Sequence, residues 1–283
     1  YGPTGLSHLA DLCSLEVLRI QTGDPLSDAD VAALEPLQNL KDLLIGASPV
    51  GDGGLASIGR LKRLERLQLH VLTRSGLNHL NGLSNLEYLT VNGPWGDLAG
   101  LAEGDEGTLN LSGLTAMREF YIDSLPLHDG DLAFLKNWRS VETLMIQPTT
   151  HLRGASLRHL RDLSSLQRLR FFELSDCTGQ DLAHLNGLPA LRSLRIRGNI
   201  PDSALSFLTG PASLESLTVE TDHPIDKQTV SDFKEAHPLI EYIHINKPFM
   251  PPQPDPPASP PRRRAPPPPA KTPGRSGVNV LIA

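Results

Sequence analysis

Apolar residues recur along this chain in a short phrase, L-x-x-L-x-φ, where φ is apolar. It is clearest in Leu166-Gln167-Arg168-Leu169-Arg170-Phe171 and returns in Leu191-Arg192-Ser193-Leu194-Arg195-Ile196. The closing apolar residue of each phrase falls at Ile20, Ile45, Leu69, Val91, Ile122, Ile146, Phe171, Ile196, Val219 and Ile245. The steps between them run from 22 to 31 residues and average 25. A sustained period of this length predicts about ten stacked units, each contacting only its neighbours, in place of one deep core.

One unit can be read from its spacing. The phrase itself has the one-sided pattern of a short strand. A turn follows, and then a short helical segment such as residues 180–188, whose Leu182, Leu185 and Leu188 fall three apart on one face. Residues able to cap a first helical turn stand at these starts: Ser27 with Asp30, Ser75, Asp131, Asp181 and Asp202. Their oxygens accept the free N–H groups there, and the acids favour the positive helix end. Gly82 and Gly187 close two of the helices. One strand and one helix per step predict an α/β solenoid, with a parallel sheet inside and helices outside. Helices are wider than strands, so the stack should curve with the sheet on its concave side.

In this pattern the chain resembles leucine-rich repeat proteins with 24–25-residue units. The phrasing of 76–91 and 181–196 is similar to bacterial repeats of the planctomycete type. The resemblance covers residues 1–247 and implies the solenoid fold. One departure stands out. The Asn that often follows the strand in such repeats is present only near Asn92, Asn199 and Asn246, so the loops should pack differently from unit to unit.

Two stretches break the period. The 31-residue step after Val91 carries an insert with Pro94-Trp95-Gly96 and an acidic run at 103–106, expected as a surface loop. Residues 248–277 are Pro-rich and cannot bury a core, which predicts an extended linker. Residues 278–283 form an apolar β-prone run that reads as the start of a truncated following segment. The opening at Tyr1 leads straight into the helical half of a unit, which predicts further chain upstream. The polar helix at 229–237 and Lys247-Pro248 read as the closing unit.

Composition narrows the functional classes. The chain is leucine-dominated with 5 % aromatics and carries a formal net charge of −6 over 283 residues. That is no bulk field for nucleic acid or an anionic membrane, and neither is expected as a partner. No phosphate-loop, nucleophile-elbow, H-E-x-x-H or C-x-x-C pattern is present, so no catalytic set, cofactor or metal site is expected. Gly51-Asp52-Gly53-Gly54 reads as a turn before a helix. His8, His79, His159 and His184 share one helical repeat position with Ala33, Phe134 and Phe207, which makes it a packing position. Cys13 and Cys177 lie six repeats apart, about 29 Å at roughly 4.8 Å per strand, beyond disulfide reach. Two free thiols lean toward a reducing compartment such as the cytoplasm.

The third, fifth and seventh positions of each phrase should face outward on the concave side. On that grid Arg168, Arg170, Arg195 and Arg197 fall on neighbouring strands with Phe172, and Tyr121 and Met145 lie just before them. Arginine and aromatic residues on a preformed surface are the material of protein hot spots. The expectation is a non-enzymatic scaffold that binds a protein or peptide, acidic ones included, through these seven residues. The alternative is the sensor or docking arm of a larger enzyme or membrane receptor.

Overall fold

The computed structural model describes residues 6–21, 26–93, 107–147 and 152–246, with the backbone alone of 47, 48, 173 and 246. The insert around Trp95, the Pro-rich stretch and residues 278–283 lie outside the described residues.

Within each phrase the first, fourth and sixth side chains point to one side, sealed in the inner units and partly buried in the first and last. Leu64, Leu67 and Leu69 are 0–3 % exposed, and Leu191, Leu194 and Ile196 are 0–1 % exposed. Their neighbours on the opposite face stay open, as the alternating burial of Arg66–Val71 shows. The strands are β1 (Val17–Gln21), β2 (Asp42–Val50), β3 (Arg66–Val71), β4 (Tyr88–Asn92), β5 (Glu119–Asp123), β6 (Thr143–Gln147), β7 (Leu152–Arg153), β8 (Arg168–Ser175), β9 (Ser193–Gly198), β10 (Ser216–Glu220) and β11 (Tyr242–Asn246). They form one sheet in chain order, with the two-residue β7 set aside against β8. Every pairing is parallel. The closing apolar residues pair laterally, Val91 with Ile122, Ile122 with Ile146, Ile146 with Phe171 and Phe171 with Ile196. The 31-residue step therefore leaves the ladder in register, and its extra length is taken up between β4 and β5.

The outer layer is helical, as the pattern predicts, but several of its helices are 3-10. Asp28–Ala32, Asp52–Ile58, Gly179–Ala183, Asp202–Leu205 and Lys227–Ala236 are α-helical. Ser75–Gly82, Asp129–Asn137 and Gly154–Leu160 are 3-10 helices. The spacing of the apolar residues is compatible with this form, although Leu55, Ile58 and Leu61 keep the same spacing from an α-helix. At three residues per turn, side chains at i, i+3 and i+6 line up, and Leu77, Leu80 and Leu83 are all 0 % exposed, as are Leu132, Leu135 and Trp138 to within 1 %. Ser27 and Asp30 form the expected capping box. At the Gly179 helix the cap is Thr178, with Asp181 completing the box three residues on.

The missing Asn ladder has a substitute. An acid at the start of one unit's helix reaches forward to the next unit. Asp28 accepts the Gly54 N–H at 2.9 Å, Asp52 accepts the Thr73 hydroxyl at 2.6 Å, and Asp129 accepts the Arg153 N–H at 2.9 Å. Asp202 accepts the Asp226 N–H at 3.3 Å. These acids fix the loops of the helical side to one another while also complementing the helix ends.

Between β8 and β9 the register shifts after Phe171, and Leu174 pairs with Gly198. Gly198 has φ of 148°, and a Cβ there would sit 2.0 Å from the Leu174 carbonyl oxygen. Gly198→Ala is expected to cost about 1–3 kcal/mol, the usual cost of forcing a side chain into such a conformation. A lower urea midpoint with unchanged slope is the expected reading. An unchanged midpoint would show that β8 and β9 can relax around the methyl group.

Candidate functional site

The open face of the sheet presents three rows that run across the strands. The third-position row is complete from Val17 to Tyr242, each residue paired with its equivalent on the next strand. The fifth-position row is equally continuous, and Tyr121, Met145, Arg170 and Arg195 are successive lateral partners within it. The seventh-position row is broken where β2 and β8 shift register. The sheet thus brings Tyr121, Met145, Arg168, Arg170 and Arg195 together as the spacing predicts. Phe172 and Arg197 fall beside the β8 irregularity, where the simple grid no longer holds.

The arginines of this patch are not equivalent. Arg195 donates from Nε to Glu220 at 2.8 Å, and its Nη2 also binds that carboxylate. The same guanidinium lies over the Phe172 ring, 5.4 Å from its centroid. Phe172 is consequently 7 % exposed and serves as the floor under Arg195 more than as an open contact. Arg168 donates from Nη2 to the Thr143 hydroxyl at 2.7 Å and lies 3.6 Å from Glu119. Tyr121 donates to Glu119 at 3.3 Å, and burial, then that carboxylate, raises its phenol above the ordinary value. Arg197, Tyr121 and Met145 are half-buried, and Arg170 is exposed. Glu173 is an acid beside Phe172 in the chain, and its side chain lies outside the described residues. The partners found are Glu119 and Glu220.

At the N-terminal edge of the strands a fourth row runs beside this face. It contains Glu16, Lys41, Glu65, Glu87, Arg118, Glu142, Gln167, Arg192, Glu215 and Glu241. Each of its three cations is paired with an acid on an adjacent strand: Lys41 with Glu16 at 2.9 Å, Arg118 with Glu142 at 2.5 Å and Arg192 with Glu215 at 2.5 Å. Exposed pairs of this kind contribute little stability, but they leave the edge net acidic beside a face rich in arginine. A groove of about 650 Å³ follows this edge past Arg118, Ser140, Glu142, Ser164 and Gln167.

One cluster has no counterpart in the sequence reading. Arg74 is 1 % exposed and Asp131 is 4 % exposed, and they pair at 2.7 Å. Arg74 also donates to the carbonyl of Gly107, and it meets His128 Nδ1. Asp131 accepts further bonds from the N–H groups of His128 at 2.7 Å and Leu109 at 3.2 Å. The partners lie 57 positions apart, and the pair reaches across the unit that holds the insert. The only hint in the sequence is Asp131, which reads there as a helix cap.

The histidines at the shared helical position differ in environment. His159 and His184 are half-buried, whereas His8 and His79 are exposed. Among the described residues no three His, Cys, Asp or Glu side chains group as metal ligands do. Both cysteines are free, Cys13 exposed and Cys177 buried. Burial pushes the Cys177 thiol up to about 12. None of the described helices is long and apolar enough to cross a membrane.

The parallel ladder, the repeated one-sided apolar phrase and the helical outer layer define a leucine-rich repeat solenoid. No family model and no curated protein sequence matches the chain. Among solved structures, an internalin from Listeria monocytogenes is similar with a TM-score of 0.66 and 20 % identity. The match covers 84 % of this chain and 63 % of the internalin, so this chain spans less than two thirds of that protein. An internalin C2 from the same organism gives a TM-score of 0.46 at 16 % identity, covering 85 % of this chain and 92 % of that one. The first likeness agrees with the leucine-rich repeat fold.

Proposed function

We propose that this chain is a non-enzymatic protein-interaction scaffold whose open sheet face holds a protein or peptide partner of partly acidic character. The observation that carries this reading is the composition of that face. Its three rows hold six arginines, at 19, 66, 168, 170, 195 and 197, against four carboxylates, Asp42, Glu119, Asp123 and Glu220, in a chain of net charge −6. A paired ladder presents them on backbone that is already ordered, which favours association. Tyr121 and Met145 add the aromatic and polarisable surface that interfaces concentrate. The domain reading accompanies this one: repeats over 1–247, then a Pro-rich linker over 248–277.

The test is cross-linking in extract of the source organism, with the intact chain and with Arg168, Arg170, Arg195 and Arg197 all changed to Glu. The circular dichroism spectra of both should coincide. The expected result is a defined cross-linked partner with the parent chain and its loss with the four-fold variant. Equal recovery by both chains removes this face from consideration.

A further inference from the structure

We infer that Arg170 is the anchor of the sheet-face site, and that it takes a carboxylate from an extended acidic segment of a partner protein. Tyr121 and Met145 seat an apolar side chain of the same segment. This inference rests on the scaffold reading above.

The argument is one of elimination among the six arginines of the face. Arg19 is 3.9 Å from Asp42. Arg66 stacks on Tyr88 with its guanidinium carbon 4.2 Å from the ring centroid. Arg168 is shared between Thr143 and Glu119, and Arg195 is held by Glu220 above Phe172. Arg197 is half-buried beside the β8 irregularity. Arg170 alone among them is exposed and has no ion pair, side-chain hydrogen bond or ring stack among the described side chains, although its charge is felt at Tyr121. A guanidinium with its fork open matches the geometry of a single incoming carboxylate.

Its flanks define what comes with that carboxylate. On one side Arg195 is the lateral neighbour, and Glu220 neutralises it, so the two cations do not repel each other strongly. Arg195 therefore acts as a wall and leaves the anion to Arg170. On the other side stand Met145 and then Tyr121. At roughly 4.8 Å per strand they lie about 5 and 10 Å from Arg170 along the row. An extended chain advances about 3.3 Å per residue, so two to three residues span roughly 7–10 Å. The fitting segment carries Asp or Glu two or three positions from a large apolar residue.

Random twelve-residue peptides displayed on phage and selected against the intact chain supply the probe. The recovered peptides are synthesised and titrated against four variants. Arg170→Met removes the anchor. Thr90→Trp and Thr218→Trp obstruct the same face on either side. Arg158→Glu lies on the helical side, where the Arg158 side chain is exposed and donates to the nearby Ala155 carbonyl at 3.4 Å. The expected result is a consensus with that acid-to-apolar spacing. Affinity should fall about tenfold or more in Arg170→Met, as for a central arginine anchor, and be unchanged in Arg158→Glu. Peptides weakened by the tryptophan variants but indifferent to Arg170→Met overturn this inference and leave the scaffold reading standing. Peptides indifferent to all three face variants overturn both. A selection that yields no binder, or binders without acidic residues, also overturns the assignment of Arg170.

Discussion

Arg74→Ala is expected to destabilise the repeat domain by about 3–5 kcal/mol, the range found when one partner of a buried ion pair is removed. The effect comes from what remains. Asp131, 4 % exposed, would be left with the N–H groups of His128 and Leu109 and the His128 ring 3.4 Å away, none of which replaces the guanidinium. The carbonyl of Gly107 would also lose its donor. An unsatisfied buried group carries its whole desolvation penalty. Urea unfolding followed by circular dichroism measures the loss, and a change below about 1 kcal/mol would refute the clamp role, because it would show that water reaches Asp131 freely. The double variant Arg74→Met, Asp131→Leu supplies a second reading. It should recover part of the loss by removing both charges together. Recovery should stay incomplete, because Asp131 also holds the backbone at Leu109 and His128.

That clamp marks the limit of what the sequence discloses. The leucine phrase specifies the strands because each of its positions is reused in every unit, and ten repetitions average out local exceptions. The lateral register follows from the same repetition, and with it the neighbourhood of Tyr121, Met145, Arg170 and Arg195. Arg74 occurs once. Its partner lies 57 positions away, two uneven steps along the chain and at a different position within its unit. No periodic argument can pair two such residues, and a lone Arg before a helix gives no sign of burial.

The candidate site was legible to the extent that backbone register alone determines it. Which residues share the face follows from strand alternation. Which of them stay available depends on how far a side chain reaches. Glu220 stands on the same grid, one strand beyond Arg195 and two residues further along, and a guanidinium spans that diagonal easily. Phe172 fails for a different reason. The alternation that should place it on the open face is interrupted by the shift between Phe171 and Leu174, and the ring ends under Arg195. The helix type was hidden as well. Leucines three apart fit a 3-10 turn and one face of an α-helix almost equally over two turns, so the spacing alone does not choose.

Trp138→Ala is expected to cost about 3–5 kcal/mol as a large-to-small core change, and to split a single unfolding transition into two. Trp138 occupies the helix-to-strand position that Leu37, Leu61, Leu83, Leu163 and Leu188 fill in other units, and all of these are 0–1 % exposed. Its ring stands edge-on to Phe120 at 5.0 Å and tilted against Phe134 at 4.8 Å. Its indole N–H donates to the Leu111 carbonyl at 3.0 Å, across the boundary between two units. Residues 107–118, on the near side of that boundary, contain no helix, so the three rings pack there with Leu109, Leu111, Leu114 and Met117, all buried. In a solenoid, stability is a sum of unit and interface contributions, and cooperativity survives only while each interface is strong. Alanine would weaken the interface next to the insert and let the units before it unfold separately from those after it. Calorimetry should then show two transitions where the parent chain shows one, with Trp138→Leu intermediate because it restores the row but not the ring contacts. A single transition at an unchanged temperature would mean that the aromatic cluster is dispensable and that other contacts carry cooperativity across the insert.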